Sequence, residues 1–510
     1  MKLCRIISCI LAGATLLSLA ACGVVDQGRE SSEPTESTAA SVSAKYVFSD
    51  NRIVFLSDES VKFVEQESDF VKTYDIADLK EGGTQIVIDP AVTHQTIEGF
   101  GASFTDASVY LLSQMPEETY NDVMIKLFDS EKGIGASIIR TPLGCCDFSL
   151  ENYTYDDMPE GEEDRELAHF DASKAQGQID VIKKAKTINS DIKLILSPWT
   201  APPWMKTGQD YTGVDGGKLR RDCYGVYADY LAKTVEHYEK AGLPVYALTP
   251  QNEMFLPAKW AGMTWEWESM ANFVNDNLRP SLTEAGLTTK ILNMDHNWAY
   301  SEEANMIMSA TYDSADGIAY HWYAGEPEVM KESSEYFPDK LIYMTEGTGT
   351  KPENMTRFLK LTSMITRSLY SNANAYLVWN YVLRPEGGPF DAPLEKYPDV
   401  AAGASTNSPF VYYNEQTKEV QYGNDYYALA HFSKYMHVGA VRVESTDTGA
   451  DSEYKLCNVV VVNPNGTMTA VIVNSHKEDV TCKMVMGEQV MEVNAPAKST
   501  ITITWEAEIN

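Results

Sequence analysis

Along much of the chain, short apolar runs are separated by longer stretches with helix-spaced apolar residues. Between Gly99 and about Val382 eight such runs stand out: EGFGASF from Glu98, ASIIRTPL from Ala136, KLILSPW from Lys193, VYALTPQNE from Val245, KILNMD from Lys290, GIAYHWY from Gly317, LIYMTEG from Leu341 and AYLVWNY from Ala375. They are apolar almost throughout rather than alternating, which is the pattern of parallel strands covered on both faces. In the intervening stretch Tyr224–Ala241, Tyr227, Leu231, Val235 and Tyr238 share a helix face and Gly242 supplies the stop. Eight strand–helix units in about 280 residues match the arithmetic of a closed (β/α)8 barrel. An open doubly wound sheet is the competitor. No G-x-G-x-x-G follows the first strand, and polar residues gather at the strand ends, so the pattern predicts the barrel.

The flanks read differently. From Lys45 to Pro90 the runs KYVF, RIVFL, VKFVEQ and TQIVID are short strands with turns at Asp50-Asn51 and Glu81-Gly82-Gly83. After about Tyr426 strand alternation returns in AVRVES, NVVVVNP, MTAVIVNS, CKMVMG and STITITW. These predict a small antiparallel β-sandwich, completed by the N-terminal strands because no other sheet is open to them. The expected fold class is therefore α/β, a (β/α)8 TIM barrel at 93–425. Residues 44–92 and 426–510 together form the attached sandwich.

The first 21 residues read as an export signal. Lys2 and Arg5 precede an apolar run from Ile6 to Ala21 that is short for a membrane span. Leu19-Ala20-Ala21-Cys22-Gly23 resembles a bacterial lipobox, which implies cleavage before Cys22 and lipid on its sulfur; an ordinary signal peptide cut nearby is the alternative. Residues 22–43, rich in Ser, Thr and Glu, read as a disordered tether. The expectation is an exported protein held at the bacterial cell surface, touching the membrane only through that anchor.

Charge narrows the partners. Two of the 41 basic residues leave with the signal, so 39 face 73 acidic ones, a balance of −34. Such a surface repels nucleic acid and favours a neutral substrate over an acidic polymer. No CxxC spacing suggests zinc. Cys145 and Cys146 read as two small buried side chains, while Cys457 and Cys482 fall in the same strand-rich region, where pairing is open.

Chemistry gathers at the strand ends: Phe104-Thr105-Asp106, Arg140, Trp199, Asn252-Glu253, Asp295-His296-Asn297, His321-Trp322-Tyr323, Glu346 and Trp379-Asn380. In a (β/α)8 barrel these ends converge on one face. Glu253 and Glu346 end the fourth and seventh strands, where their carboxylates can oppose each other across the mouth. Glycoside hydrolysis needs such a pair, about 5–5.5 Å apart for retention and about 6.5–9.5 Å for inversion. Taken singly, either glutamate is equally a carboxylate favoured by a helix N-terminus. Asn252 can bond the hydroxyl beside the reacting carbon, and Asp147 ring hydroxyls. Arg140 either holds the nucleophile ionised or makes a structural ion pair. Trp199, Trp322 and Trp379 either face a sugar ring or fill the core. Asp295-His296-Asn297 with His321 lacks the spacing of a metal motif, so no metal is expected.

Seven motifs in order resemble glycoside hydrolase family 30, the glucosylceramidase family. They are Gly99-Phe100-Gly101, Arg140 to Ser149 with Asp147, Ser197 to Lys206, Thr249 to Glu253, His321 to Tyr323, Thr345-Glu346, and Trp379-Asn380 with Pro385–Pro389. His431-Phe432-Ser433-Lys434 stands where that family's barrel hands over to its sandwich. The resemblance implies a retaining β-glycosidase without cofactor, acting on a carbohydrate or glycolipid, with Glu253 as acid/base and Glu346 as nucleophile. It also implies substrate-binding roles for Arg140, Asp147, Trp199, Asn252, His321, Tyr323, Trp379 and Asn380. Within that class a glucosylceramidase is expected, with an endo-β-1,6-glucanase or a β-xylosidase as rivals; a non-catalytic carbohydrate-binding lipoprotein is the rival outside it. Met254 stands where the family usually has Pro, and Cys145 where a small residue is common. Trp260, Trp265 and Trp267 vary the segment after the acid/base, where the leaving group would lie.

Overall fold

The eight apolar runs pair side by side in parallel and close into a ring. Their strands are β1 (Gly99–Ser103), β2 (Ile138–Leu143), β3 (Lys193–Pro198), β4 (Val245–Leu248), β5 (Lys290–Asn297), β6 (Gly317–His321), β7 (Leu341–Glu346) and β8 (Ala375–Val378). β8 returns to pair with β1, so the barrel is closed as expected. The computed structural model describes residues 46–214, 216–390, 405–448 and 455–509. The expected export signal, the tether and Cys22 lie outside the described residues.

Two apolar layers explain the fully apolar strands. Ile138, Ile195, Ala247, Leu292, Ala319, Tyr343, Ala375 and Leu377 fill the ring. A larger core lies between strands and helices and takes the buried face of the helix Tyr224–Lys240, with Tyr227, Leu231, Val235 and Tyr238. Polar contacts plug the N-terminal end, where Glu98 receives Lys193 Nζ at 2.7 Å and the Tyr343 hydroxyl at 2.6 Å, with Tyr246 beside them. The opposite end is left for chemistry.

One irregularity decides what the open end contains. Across the β5–β6 pairing, Met294 opposes Ala319 and His296 opposes Tyr320, so Asp295 is an extra residue. Met294 has φ 77° and Asp295 φ 50°, both left-handed. Strict alternation from inward-facing Leu292 would turn Met294 inward and Asp295 outward. The bulge reverses this parity: Met294 joins the outer core and Asp295 points into the barrel.

Ten strands form one curled sheet, in the order 64–66, 46–57, 499–509, 467–474, 456–462, 441–445, 84–96, 480–486, 489–495, 71–75. Four come from the N-terminal stretch, which joins the sandwich as the sequence implied. KYVF and RIVFL run on as one strand through the expected turn at Asp50-Asn51, with a register shift there, and 71–75 is a strand the pattern did not predict. The curl encloses Val54, Ile86, Met468, Met484, Ile503 and Trp505. One pairing is not antiparallel, that of Cys482–Val485 on Thr84–Val87. The long strand 84–96 serves both halves of the curl, and its two edges meet chains running in opposite senses.

Strand alternation resumes at Val441 rather than at about Tyr426, because Asn424–Ser433 is a helix burying Ala428, Leu429 and Phe432. Its His431 is buried between the layers, Nε2 on Ser57 Oγ and Nδ1 on Thr502 Oγ1, each at 2.8 Å. Burial pulls this ring down to about 3, so it is a neutral bridge between barrel and sandwich. Cys457 and Cys482 are free thiols in separate cores, and Cys145 and Cys146 are buried.

Gly101 is the tightest point of the ring. A Cβ there would lie 1.8 Å from the Ile138 carbonyl oxygen on β2, an atom fixed by the barrel ladder. Gly101→Ala is expected to destabilise by about 3 kcal/mol or more. Urea unfolding of purified protein measures it; a midpoint equal to wild type would show that the strands can part.

Candidate active site

The site is built outward from Arg140, which β2 presents inside the barrel with no solvent exposure. One terminal nitrogen donates to Glu346 Oε2 at 2.6 Å; the other reaches Asn252 Oδ1 at 2.7 Å, Asp295 Oδ2 at 2.9 Å and Ser197 Oγ at 3.1 Å. Trp199 and Trp379, stacked with ring centroids 5.3 Å apart, lie 4.9 and 5.6 Å from the guanidinium carbon. A planar fork can serve four acceptors in this way and a lysine cannot.

Asp295 is the opposite pole. Its Oδ2 also accepts from Ser197 Oγ at 2.6 Å and Thr249 Oγ1 at 2.7 Å; Oδ1 takes Thr345 Oγ1 at 2.7 Å and His321 Nε2 at 3.0 Å. Burial alone would raise this carboxyl, but the charges of Arg140 and His321 and these bonds hold it well below the usual carboxylate range. His321 shows the complementary effect. Burial disfavours its charge, yet Glu346, Asp295 and Glu253 outweigh this and push it up to about 9, so the ring is an imidazolium with both N–H groups donating.

The two glutamates meet around that ring. His321 Nδ1 lies 3.3 Å from Glu253 Oε1 and 4.0 Å from Glu346 Oε1, and one oxygen of each carboxylate lies within 4.8 Å of the other. That separation suits direct attack on a sugar carbon rather than a water held between carboxylates. Glu346 is also bonded by the Tyr323 hydroxyl at 2.9 Å. Burial pushes its carboxyl up, with His321 and Arg140 pulling the other way. Glu253 sits in the left-handed region at φ 49°, and its N–H donates to the Asp295 carbonyl at 2.8 Å. The β5 bulge thus fixes both the Arg140 partner and the Glu253 backbone.

Most of the sequence-expected residues converge here. Asn252 offers its carbonyl to Arg140, which fixes the amide and frees its NH2 for a substrate hydroxyl. Asp147 is half-buried and accepts no bond from another described side chain; burial and the facing charge of Glu346 raise it well above its ordinary range. Asn380, at φ 65°, accepts from Thr105 Oγ1 at 2.7 Å and leaves Nδ2 without a partner among described residues. Trp322 is turned away, packed on Gly347 beneath Lys360. Trp265 is core, against Tyr224 and Phe273.

Sequence reasoning noted Asp295 at its strand end but gave it no part in this chemistry. Ser197, Thr249 and Thr345, each inside a quoted motif, were missed as its hydrogen-bond donors. Glu253, His321 and Glu346 could offer three atoms to a metal ion. The donor set does not fit one: a charged His321 has no lone pair to give, and a cation would stand beside Arg140.

The sequence profile of the Glycosyl hydrolase family 30 TIM-barrel domain matches residues 97–436, and that of the Glycosyl hydrolase family 30 beta sandwich domain matches 439–503. The chain is 26% identical to the lysosomal acid glucosylceramidase of Mus musculus, over 83% of this chain and 84% of that one. Among solved structures, SrfJ from Salmonella typhimurium superposes with a TM-score of 0.80 at 25% identity, covering 90% of this chain and all of that one. The endo-beta1,6-glucanase BT3312 superposes with a TM-score of 0.77 at 26% identity, covering 89% and all of it.

His321 carries a pH dependence with a definite sign. Its folded value of about 9 lies above the ordinary 6.5, so its contribution to stability is complete below pH 6.5 and is lost as pH rises through 9. The stability gap between wild type and His321→Gln is therefore expected to be widest below pH 6.5 and to close above 9. Urea midpoints across that range test it; a gap that widens with pH would show the ring to be neutral.

Proposed function

The chain belongs to glycosyl hydrolase family 30, and from that premise we propose how its two glutamates divide the reaction. The protein is a glycoside hydrolase, and the retaining, double-displacement course fits the close carboxylates. Glu346, held as an anion by Arg140 and Tyr323, attacks the anomeric carbon while the glycosidic C–O bond breaks and the leaving oxygen takes a proton from Glu253. In the second step water attacks the same carbon, Glu253 takes its proton, and the bond to Glu346 breaks to restore the carboxylate. Asn252 bonds the hydroxyl beside the reacting carbon, and Asp147 bonds ring hydroxyls farther round. The proximity of Glu346 to Glu253 with Arg140 on the nucleophile carries this reading.

The sugar at the reacting position is a β-glucosyl unit, the element common to the names of both the glucosylceramidase and the endo-β1,6-glucanase relatives. A sphingolipid headgroup and a β-1,6-linked glucan are the two substrate classes this supports, with a β-xyloside as the remaining rival. The lipobox-like segment ending at Cys22 supports a lipid-anchored enzyme at the bacterial cell surface.

Glu346→Ala is expected to fall below about a thousandth of wild-type rate on an aryl β-glucoside. Glu253→Ala is expected to lose about 10²–10⁴-fold on alkyl or sugar leaving groups and far less on activated aryl ones, because an acidic leaving oxygen needs no proton. Proton NMR of the first product shows the β-anomer if configuration is retained. Equal losses on both leaving-group classes, or an α-anomer, would overturn the assignment. Palmitate labelling of the expressed protein is expected to vanish in Cys22→Ser; labelling that persists would refute the anchor.

A further inference from the structure

Beside the glutamates, His296 has both of its polar atoms unassigned among the described residues. It follows Asp295 on β5, and its side chain is 3% exposed. Both ring nitrogens are buried and make no hydrogen bond among the described residues. The ring stacks on Tyr300, centroids 4.6 Å apart at 30°, and Phe255 leans on it at 5.9 Å. Burial pulls it down to about 3, so it is a neutral imidazole with one N–H. A buried donor left unmade costs free energy, and one left unmade in a native protein calls for an explanation, a catalytic role being among them. The acceptor facing it is Glu253 Oε1, 3.8 Å from Nδ1 and just beyond hydrogen-bond length.

Glu253 Oε1 thus lies between two imidazoles, His321 at 3.3 Å and His296 at 3.8 Å. The two differ in kind: His321 is a cation tied to Asp295, and His296 is neutral and uncommitted. We propose that His296 is a positioning residue for Glu253, donating its Nδ1–H to the Glu253 carboxylate at the stage when that group acts as base. This rests on the acid/base assignment of Glu253 made above. In the first step Glu253 gives up its proton as Glu346 becomes an ester, so the negative charge passes from Glu346 to Glu253. A shift of less than 1 Å brings the new carboxylate onto the His296 N–H; catalytic bonds that are long in the free enzyme often tighten in this way. The base then stays aimed at the attacking water. The first step, with a leaving group that needs no proton, does not call on this bond.

The test separates the two steps with 2,4-dinitrophenyl β-D-glucoside, whose glycosylation step needs no acid. His296→Leu is expected to show a burst of dinitrophenol followed by turnover about 10- to 100-fold below wild type, the worth of one charge-assisted hydrogen bond. Azide attacks the glycosyl-enzyme without a base, so it is expected to restore turnover and give β-glucosyl azide. His296→Phe, which keeps a ring on Tyr300, is expected to behave as Leu does. His296→Asn, which places an N–H where Nδ1 lies, is expected to recover most of the rate. Loss without burst or azide response, or loss in Asn equal to that in Phe, would reduce His296 to a packing role and overturn the proposal. Wild type that inverts configuration, or an active Glu346→Ala, would instead sink the acid/base assignment itself.

Discussion

The buried contact of Arg140 with Glu346 and Asp295 is the constraint on which the rest of the site depends. A guanidinium without solvent exposure loses several kcal/mol of hydration, and only close, well-directed anions offset it. The barrel meets that demand by importing acceptors from different strands: Asp295 from β5, Glu346 from β7, and Asn252 from the segment after β4. Removing Asp295 or Glu346 leaves a charge uncompensated in the interior, and removing Asn252 leaves an N–H of the guanidinium without that acceptor. Two of the groups that satisfy the guanidinium, Glu346 and Asn252, are also among those proposed to touch the sugar, so structural integrity and chemical competence overlap there.

The charges also balance through a reaction cycle. Arg140 and His321 supply two positive charges, and Asp295 and Glu346 two negative ones, so these four groups sum to zero at the stage of the proposed cycle in which Glu253 would serve as acid. Once Glu346 is esterified and Glu253 has lost its proton, the count is again neutral. A single negative charge has moved between side chains whose oxygens lie within 4.8 Å, both facing one His321 nitrogen. The cations need not move, which is what preorganised electrostatic stabilisation requires.

The barrel and the glutamates were legible because each rests on local pattern: apolar runs of strand length, and carboxylates at the ends of two of them. Asp295 escaped because its orientation depends on a bulge. Period-two reading from Leu292 sends Met294 inward, and only the left-handed backbone at 294 and 295 reverses it. Trp322, left open between a sugar-facing and a core role, takes the core role. Alternation from inward-facing His321 does turn it outward onto Gly347, and its neighbours in the motif made a sugar-facing role attractive. The sequence pattern sets the barrel–sandwich boundary at about Tyr426, whereas Asn424–Ser433 is a helix and the strands resume at Val441. Cys457 and Cys482 sit on strands of one sheet but belong to different cores, a distinction no spacing encodes.

Of the ten non-glycine residues with left-handed backbone among the described residues, four, Glu253, Met294, Asp295 and Asn380, stand at the open end of the barrel. For non-glycine residues each costs of order 1–3 kcal/mol, so the surrounding structure must over-determine them. It does: Asp295 has five donors on its carboxylate, its carbonyl receives the Glu253 N–H, and Asn380 is tied to Thr105. Within the barrel mouth this strain therefore falls beside the groups that would grip the glycosyl unit. Beyond it, Phe255, Trp260 and Tyr300 stand on loops after β4 and β5, half-buried rather than locked into the ring. Lys206 anchors part of that wall, its ammonium reaching Thr200 Oγ1 and the carbonyls of Tyr211, Thr212 and Gly262 at 2.8–3.0 Å. Among the described contacts, none of Phe255, Trp260 and Tyr300 bonds Arg140 or Asp295, so substituting these three leaves the hydrogen bonds of the charged network in place.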